Sequence, residues 1–215
     1  MFSLQSFHHK YQVDTKQIVV RGRDFRLFVP KTIELFLDPE DLLRDFPLWS
    51  KVWEASLVLA DHLAGMAVEP GKRFLEIGCG LGLVGIVASS FGHQVTMTEI
   101  NPHSLDFARA NARSNNLANL EIAELDWDNP NLEGLFDYIV GSEVIYKERD
   151  FQSLLRLFKA NLRPGGEIIL VERIRKTSME FFGRMQQSFK ISARKKVLRS
   201  QEQEVKVILC RMRFE

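Results

Sequence analysis

The stretch Phe74-Leu75-Glu76-Ile77-Gly78-Cys79-Gly80-Leu81-Gly82, followed by Leu83-Val84-Gly85-Ile86-Val87-Ala88, restricts this chain more than any other. A short apolar run closed by glycines predicts a buried strand, and the apolar residues beyond it predict a helix that starts at once. Between them, three alternating glycines let the backbone take φ > 0 and let a ligand approach where a Cβ would collide. Strand, glycine turn and helix in immediate succession belong to an α/β sheet. The turn then lies at the carboxyl end of the strand, where such sheets bind nucleotides.

The surrounding pattern agrees. A helical period runs from Trp49 to Gly65, ahead of the glycine strand. Residues 94–99 read as a strand ending on the acid Glu99, and Asn101-Pro102 supplies an N-cap and a proline for the first helical position. Residues 120–125 alternate as a third strand and run into Asp126-Trp127-Asp128; residues 136–141 form a fourth. A helix over about 150–162 ends at Pro164-Gly165-Gly166, and residues 168–171 form a fifth strand. Strands alternating with helices from residue 73 to about 172 predict a parallel sheet covered on both faces. Beyond that come a helix near 178–187 and strands near 189–197 and 205–210. The connection Arg199-Ser200-Gln201-Glu202 is too short for a crossover, so the last two strands should pair antiparallel.

Upstream, residues 17–21 and 25–29 flank Gly22-Arg23-Asp24 and read as a β-hairpin. Residues 1–16 show no period and are expected to be irregular, ordering only when substrate binds. The expected organisation is one domain over 1–215, with a hairpin extension at 1–48 and a core at 49–215.

The chain is 45% hydrophobic and 27% charged, an ordinary globular balance, and holds no uncharged apolar run of the roughly 18 residues a membrane helix needs. The N-terminus has no apolar block of signal-peptide length. Cys79 sits in the glycine turn and Cys210 in an apolar strand, so no disulfide framework is expected and the cytoplasm is the expected compartment. Net charge is only +1, yet residues 173–213 hold twelve lysines and arginines against three glutamates. That region is either a solvated basic face or a docking surface for an acidic protein or nucleic acid.

The glycine turn alone suits both NAD and S-adenosylmethionine. Three details separate them. The dinucleotide fingerprint spaces its glycines G-x-G-x-x-G, whereas Leu83 stands where its third glycine belongs. Glu76, two residues before the first glycine, suits a cationic ligand such as a sulfonium better than a pyrophosphate. Glu99, at the end of the next strand, is placed to accept both ribose hydroxyls.

Glu76-x-Gly78-x-Gly80-x-Gly82, with Glu99, Asp126-Trp127 and Leu162-x-Pro164-Gly165-Gly166, resembles the seven-strand class I S-adenosylmethionine-dependent methyltransferases from residue 49 onward. The resemblance implies a Rossmann-like α/β sandwich with a mostly parallel sheet of order 3-2-1-4-5-7-6 and an antiparallel strand 7. It also implies S-adenosylmethionine as methyl donor and S-adenosylhomocysteine as product. Pro47-Leu48-Trp49-Ser50-Lys51-Val52-Trp53, the Asp126-Trp127 pair and Ser142-Glu143-Val144-Ile145-Tyr146 are similar to the protein-lysine branch with its [D/E]-x-x-Y motif, as is the N-terminal hairpin. By that resemblance Trp53, Gly78, Gly80, Glu99, Trp127 and Ser142 line the cofactor site, with Glu76, Gly82 and Asp126 completing it, and Glu143 and Tyr146 serve the acceptor lysine of a protein substrate. Ser142 stands where the family often has alanine, and Glu143 is one methylene longer than the usual aspartate.

Structural readings stand beside these. The glycines also suit packing turns, the three tryptophans a core, and Glu143 with Tyr146 a structural hydrogen-bonding pair. His62, His93 and His103 lack metal-like spacing, and Arg173 reads as a sheet-end residue. A nucleic-acid amino-methyltransferase would carry Asn/Asp-Pro-Pro-Tyr after strand 4, which disfavours base methylation, although the basic C-terminal third keeps RNA open. A small-molecule methyltransferase needs a lid, for which only residues 1–48 are available. A non-catalytic S-adenosylmethionine-binding module is the remaining alternative.

Overall fold

A computed structural model describes residues 2–41, 46–199 and 204–214. In chain order the elements are α1 (Leu4–Lys10), β1 (Val13–Val20), β2 (Arg23–Pro30), α2 (Glu54–Ala64), β3 (Arg73–Glu76), α3 (Leu83–Ser90), β4 (Gln94–Glu99), α4 (Pro102–Ser114), β5 (Glu121–Glu124), β6 (Phe136–Ser142), α5 (Phe151–Asn161), β7 (Leu162–Arg173), α6 (Lys176–Met185), β8 (Phe189–Arg199) and β9 (Glu204–Phe214). β3 to β9 form one seven-stranded sheet of order β5-β4-β3-β6-β7-β9-β8. Counted from β3, that is the expected 3-2-1-4-5-7-6. β9 runs antiparallel to both β7 and β8, as the short connection required, while the tip of that connection, residues 200–203, lies outside the described residues. Residues 42–45 of the polar stretch before Trp49 also lie outside them.

The strand period of two splits the core into two layers. Phe74, Val140, Ile169 and Val171 face α2 and α3, while Leu75, Ile139, Ile168 and Leu170 face α5 and α6. No helix among the described residues is long and apolar enough to cross a membrane.

The N-terminus departs from the expectation of an irregular segment. Ser3 caps α1 by accepting a hydrogen bond from the Ser6 N–H, and Phe7 packs edge-on against Phe107 of α4 at 4.9 Å. Tyr11 follows; its hydroxyl donates to Asp106 and contacts His103 Nδ1, both at 2.8 Å. Lys10 pairs with the same carboxylate at 2.9 Å. Seven residues are too few to show a helical period and too few to hold a helix alone, so docking on α4 must supply the order. Tyr11→Phe is therefore expected to cost ~2 kcal/mol, because it removes a hydrogen bond to a charged, part-buried carboxylate and leaves only Lys10 on it. Calorimetric melting should show it as a Tm drop of roughly 4–8 °C; an unchanged Tm would count against the latch.

The hairpin is longer than expected and turns on Arg21-Gly22, both with φ > 0 (48° and 77°), the geometry of a tight hairpin turn that follows the twist of its strands. Buried Asn111 of α4 joins it to the core. Its side-chain amide accepts from the Phe28 N–H and donates to the carbonyls of Phe28 and Leu81. Two boundaries also differ. Trp49 belongs to a short 3-10 turn (Leu48–Ser50) and packs on Phe36 and Phe107, so α2 starts only after Trp53. Pro164-Gly165-Gly166 lies inside β7, at the register shift against β6 between Phe136 and Tyr138.

Candidate active site

The glycine turn leaves β3 and opens α3 with left-handed residues at Gly78, Gly80 and Gly82 (φ 60°, 55° and 86°). A Cβ on Gly78 would fall 2.9 Å from Val144 Cγ1 and 3.6 Å from the Trp127 ring. One on Gly82, the residue that precedes α3, would fall 2.6 Å from Met97 Cε. Gly78 thus keeps the cavity side open, and Gly82 lets α3 and β4 pack. Gly78→Ala is expected to lower S-adenosylmethionine affinity by roughly tenfold or more. Calorimetry checks it, and a wild-type affinity would mean that the cofactor does not approach there.

Glu99 ends β4 beside this turn. Its Oε2 accepts from the Gly80 N–H at 3.1 Å, and its Oε1 accepts from Ile100 and Asn101 N–H at 2.8 and 3.2 Å. Asn101 caps α4 by accepting from His103 and Ser104 N–H, and the Ser104 hydroxyl donates to the Gly80 carbonyl. The carboxylate and the helix start therefore grip the glycine turn from one side.

These elements wall a cavity of about 840 Å³, which also reaches the Trp53 segment, the Asp126-Trp127 turn and the end of β6. That volume suits a nucleoside-sized ligand with room for an acceptor. Of the residues singled out from the sequence, Trp53, Gly78, Gly80, Glu99, Asp126, Trp127, Ser142, Glu143 and Tyr146 line it together. Glu76 and Gly82 are not on that wall. The Glu76 carboxyl is 2% exposed, and its Oε2 lies where a Cβ on Gly85 would meet it at 2.5 Å, without a hydrogen-bond partner. Burial, with the charge of Glu99 adding, pushes it up to about 8. Glu76 thus props the turn from behind instead of facing a cation. Trp53 has its Nε1 donating to the Leu48 carbonyl at 2.7 Å, with the Lys51 ammonium 3.7 Å and the Arg173 guanidinium 5.2 Å from its ring. Arg173, at the sheet end as expected, also pairs with Glu54 at 2.7 Å.

The end of β6 carries the most strained residue of the site. Glu143 has φ 51°, uncommon for a non-glycine residue and associated with functional positions. Its Oε1 accepts from the Arg173 N–H at 2.5 Å, and its Oε2 pairs with Arg175 at 2.6 Å. Arg175 also lies 4.8 Å over the Tyr146 ring and 3.4 Å from Glu172 Oε2, while Glu172 Oε1 accepts from the Val144 N–H. Two buried carboxylates therefore share one guanidinium. Burial, then the Glu143 charge, pushes Glu172 up to about 8. Burial also raises Glu143, against the pull of Arg175 and the Arg173 N–H. The Tyr146 phenol is pushed up by burial, then by Glu143 and Glu172, so it stays protonated. Neither Glu172 nor Arg175 was singled out from the sequence. The available signal was an acid at the very end of an apolar strand, the same signal that marked Glu76 and Glu99.

A doubly covered sheet of this order, a glycine turn after its central strand and an acid ending the next strand define the class I methyltransferase fold. Solved structures agree. The N-methyltransferase NodS from Bradyrhizobium japonicum, in complex with S-adenosylhomocysteine, superposes with a TM-score of 0.61 over 85% of this chain and 96% of that one at 20% identity. A ribosomal protein L11 methylase from Lactobacillus delbrueckii gives 0.59 over 77% and 81%, also at 20% identity. The family described as lysine methyltransferase matches residues 45–188, and the chain belongs to it. Its cofactor is S-adenosylmethionine.

Among curated relatives, the protein N-lysine methyltransferase METTL21A of Danio rerio is 36% identical over 150 residues, 65% of this chain and 68% of that protein. EEF1A lysine methyltransferase 3 of Mus musculus is 31% identical over 131 residues, 59% of this chain and 56% of that one. The histone-arginine methyltransferase METTL23 of Rattus norvegicus is 38% identical over 111 residues, 48% of this chain and 49% of that one. The match thus spans about two thirds of METTL21A and about half of METTL23.

Proposed function

We propose that this chain transfers a methyl group from S-adenosylmethionine to the side-chain amine of a lysine in a protein substrate. The observation that carries the reading is the Glu143–Tyr146 pair on the same cavity wall as the glycine turn and Glu99. When bound, the cofactor supplies a methyl group on a positively charged sulfur, open to in-line attack. In this reading the Gly78 and Gly80 backbone, Glu99 and Trp127 hold it, with Trp53, Asp126 and Ser142 completing the wall.

Positioning is what the protein adds to such a displacement. The attacking amine must be neutral, while a free lysine titrates near 10.4. Both oxygens of Glu143 are already engaged, by the Arg173 N–H and by Arg175. Glu143 therefore serves as a fixed negative anchor beside Tyr146, not as a mobile base. The protonated Tyr146 hydroxyl directs the amine, and the proton leaves through water. The hairpin extension and the core act as one methyltransferase domain over residues 1–215, tied through Asn111. Two buried, unpaired cysteines suit the reducing cytoplasm.

The test is incubation with tritiated S-adenosylmethionine and a lysate from cells lacking the enzyme, followed by acid hydrolysis of the labelled protein. Methyl-lysine in a discrete protein band is expected. Methyl-arginine, or label confined to RNA or small molecules, would overturn the acceptor assignment.

A further inference from the structure

The basic C-terminal region resolves into an ordered strip. β8 is the last strand of the sheet, so among the described residues one of its edges carries no partner strand. Register with β9 puts Lys190 opposite Arg213, Ser192 opposite Arg211, Arg194 opposite Leu209 and Lys196 opposite Val207. Every second residue shares a face, and on this face Lys190, Arg194 and Lys196 are all exposed. It is the side that α2 covers over β7 and β9, as Val207 and Leu209 belong to the core layer beneath that helix. Buried Glu167 engages both Arg211 and Arg213. No described carboxylate pairs with Lys190, Arg194 or Lys196.

From this we infer that the open edge of β8 docks an extended acidic segment of the protein substrate. Strand addition would satisfy the unpaired backbone groups of β8, and acidic side chains at alternate positions would meet cations that repeat in multiples of about 7 Å. The strip also leads to the active site. Lys196 and Arg173 are both in register with Val207, so they lie two strand spacings, about 10 Å, apart. The Arg173 N–H in turn holds Glu143. Single-stranded nucleic acid is the poorer fit, because binding it needs aromatic rings for base stacking and this face of β8 and β9 carries none. Charges on an edge strand also serve to repel a second edge; a strip of one sign repels its own copy and still attracts an acidic one.

The inference rests on the protein-substrate reading, and its test needs neither cofactor nor turnover. Fluorescence anisotropy with a labelled alternating Glu-Thr decapeptide on the full chain should show binding roughly tenfold or more tighter than an alternating Gln-Thr decapeptide. The K190E/R194E/K196E variant should lose that preference, and so should the unmodified chain at high salt. Unchanged S-adenosylmethionine binding in the variant, read by calorimetry, establishes that it is folded; if it is not, the milder K190Q/R194Q/K196Q variant takes its place under the same criterion. Equal binding of the two peptides, an unaffected folded variant, or tighter binding of a charge-matched oligothymidylate overturns the inference. Failure here leaves lysate methylation intact. Peptide binding that persists without methyl-lysine in the lysate would instead fault the acceptor assignment.

Discussion

Glu99→Ala should reduce S-adenosylmethionine affinity by about 100-fold, or ~2.8 kcal/mol. Two losses combine. A carboxylate at the end of the second sheet strand is placed to accept ribose hydroxyls, and its removal deletes those bonds. The same side chain accepts from the backbone N–H groups of Gly80, Ile100 and Asn101. Without it, the left-handed glycine turn loses its clamp and the cofactor must reorder it on binding. Glu99→Gln keeps one acceptor oxygen and most of the side chain's shape, so its loss should be smaller, about tenfold. Calorimetric titration of both variants checks the order. Wild-type affinity for Glu99→Ala would remove the ribose role, and equal losses for the two would show that charge, not acceptor geometry, matters.

Most of the sheet was legible because its signals are local. The Gly78–Gly82 turn, the Asn101-Pro102 helix start and the four-residue link after β8 each dictate a backbone event within a few residues. The antiparallel pairing of the last two strands follows from such an event, whereas the sheet order is implied by the family resemblance alone. What was misread depends on direction or on distant partners. β3 is covered on both faces, and its two apolar residues, Phe74 and Leu75, enter opposite core layers, so alternation does not reveal which way Glu76 points. Its place before the first glycine suits a cation, whereas in the fold its carboxyl faces Gly85. α1 is held by the rings of Phe7 and Tyr11 against Phe107, about a hundred residues away, which no local period could signal. The candidate site divides in the same way. Trp53, Gly78, Glu99, Trp127, Glu143 and Tyr146 carried motifs, whereas Arg175 meets Glu143 only because β6 and β7 are adjacent.

That adjacency sets up the second large effect. Arg175→Met should destabilise the fold by ~3 kcal/mol, the low end for breaking a buried ion pair, because Arg175 keeps 34% of its side chain in water. The variant leaves Glu143 and Glu172 facing each other without a shared cation. The pH dependence has a definite sign. In the folded state Glu172 holds its proton up to about 8, against 4.5 for the ordinary glutamate. The folded state therefore binds more protons between those values. Its contribution is fully present below about 4.5 and declines as pH rises toward 8. Glu172→Gln should flatten this decline by the share that Glu172 carries; Glu76, also raised to about 8, continues to contribute to it. In the Arg175→Met background, Glu172→Gln should restore part of the lost stability above about pH 8, where Glu172 would otherwise carry a buried charge without a cation. Arg175 lies off the cavity wall, so S-adenosylmethionine affinity should hold while kcat falls through misplacement of Glu143 and Tyr146. Thermal melts across pH and single-turnover assays measure both effects. An Arg175→Met enzyme with normal kcat and normal stability would show that the shared guanidinium neither positions the acceptor pair nor compensates the buried charge.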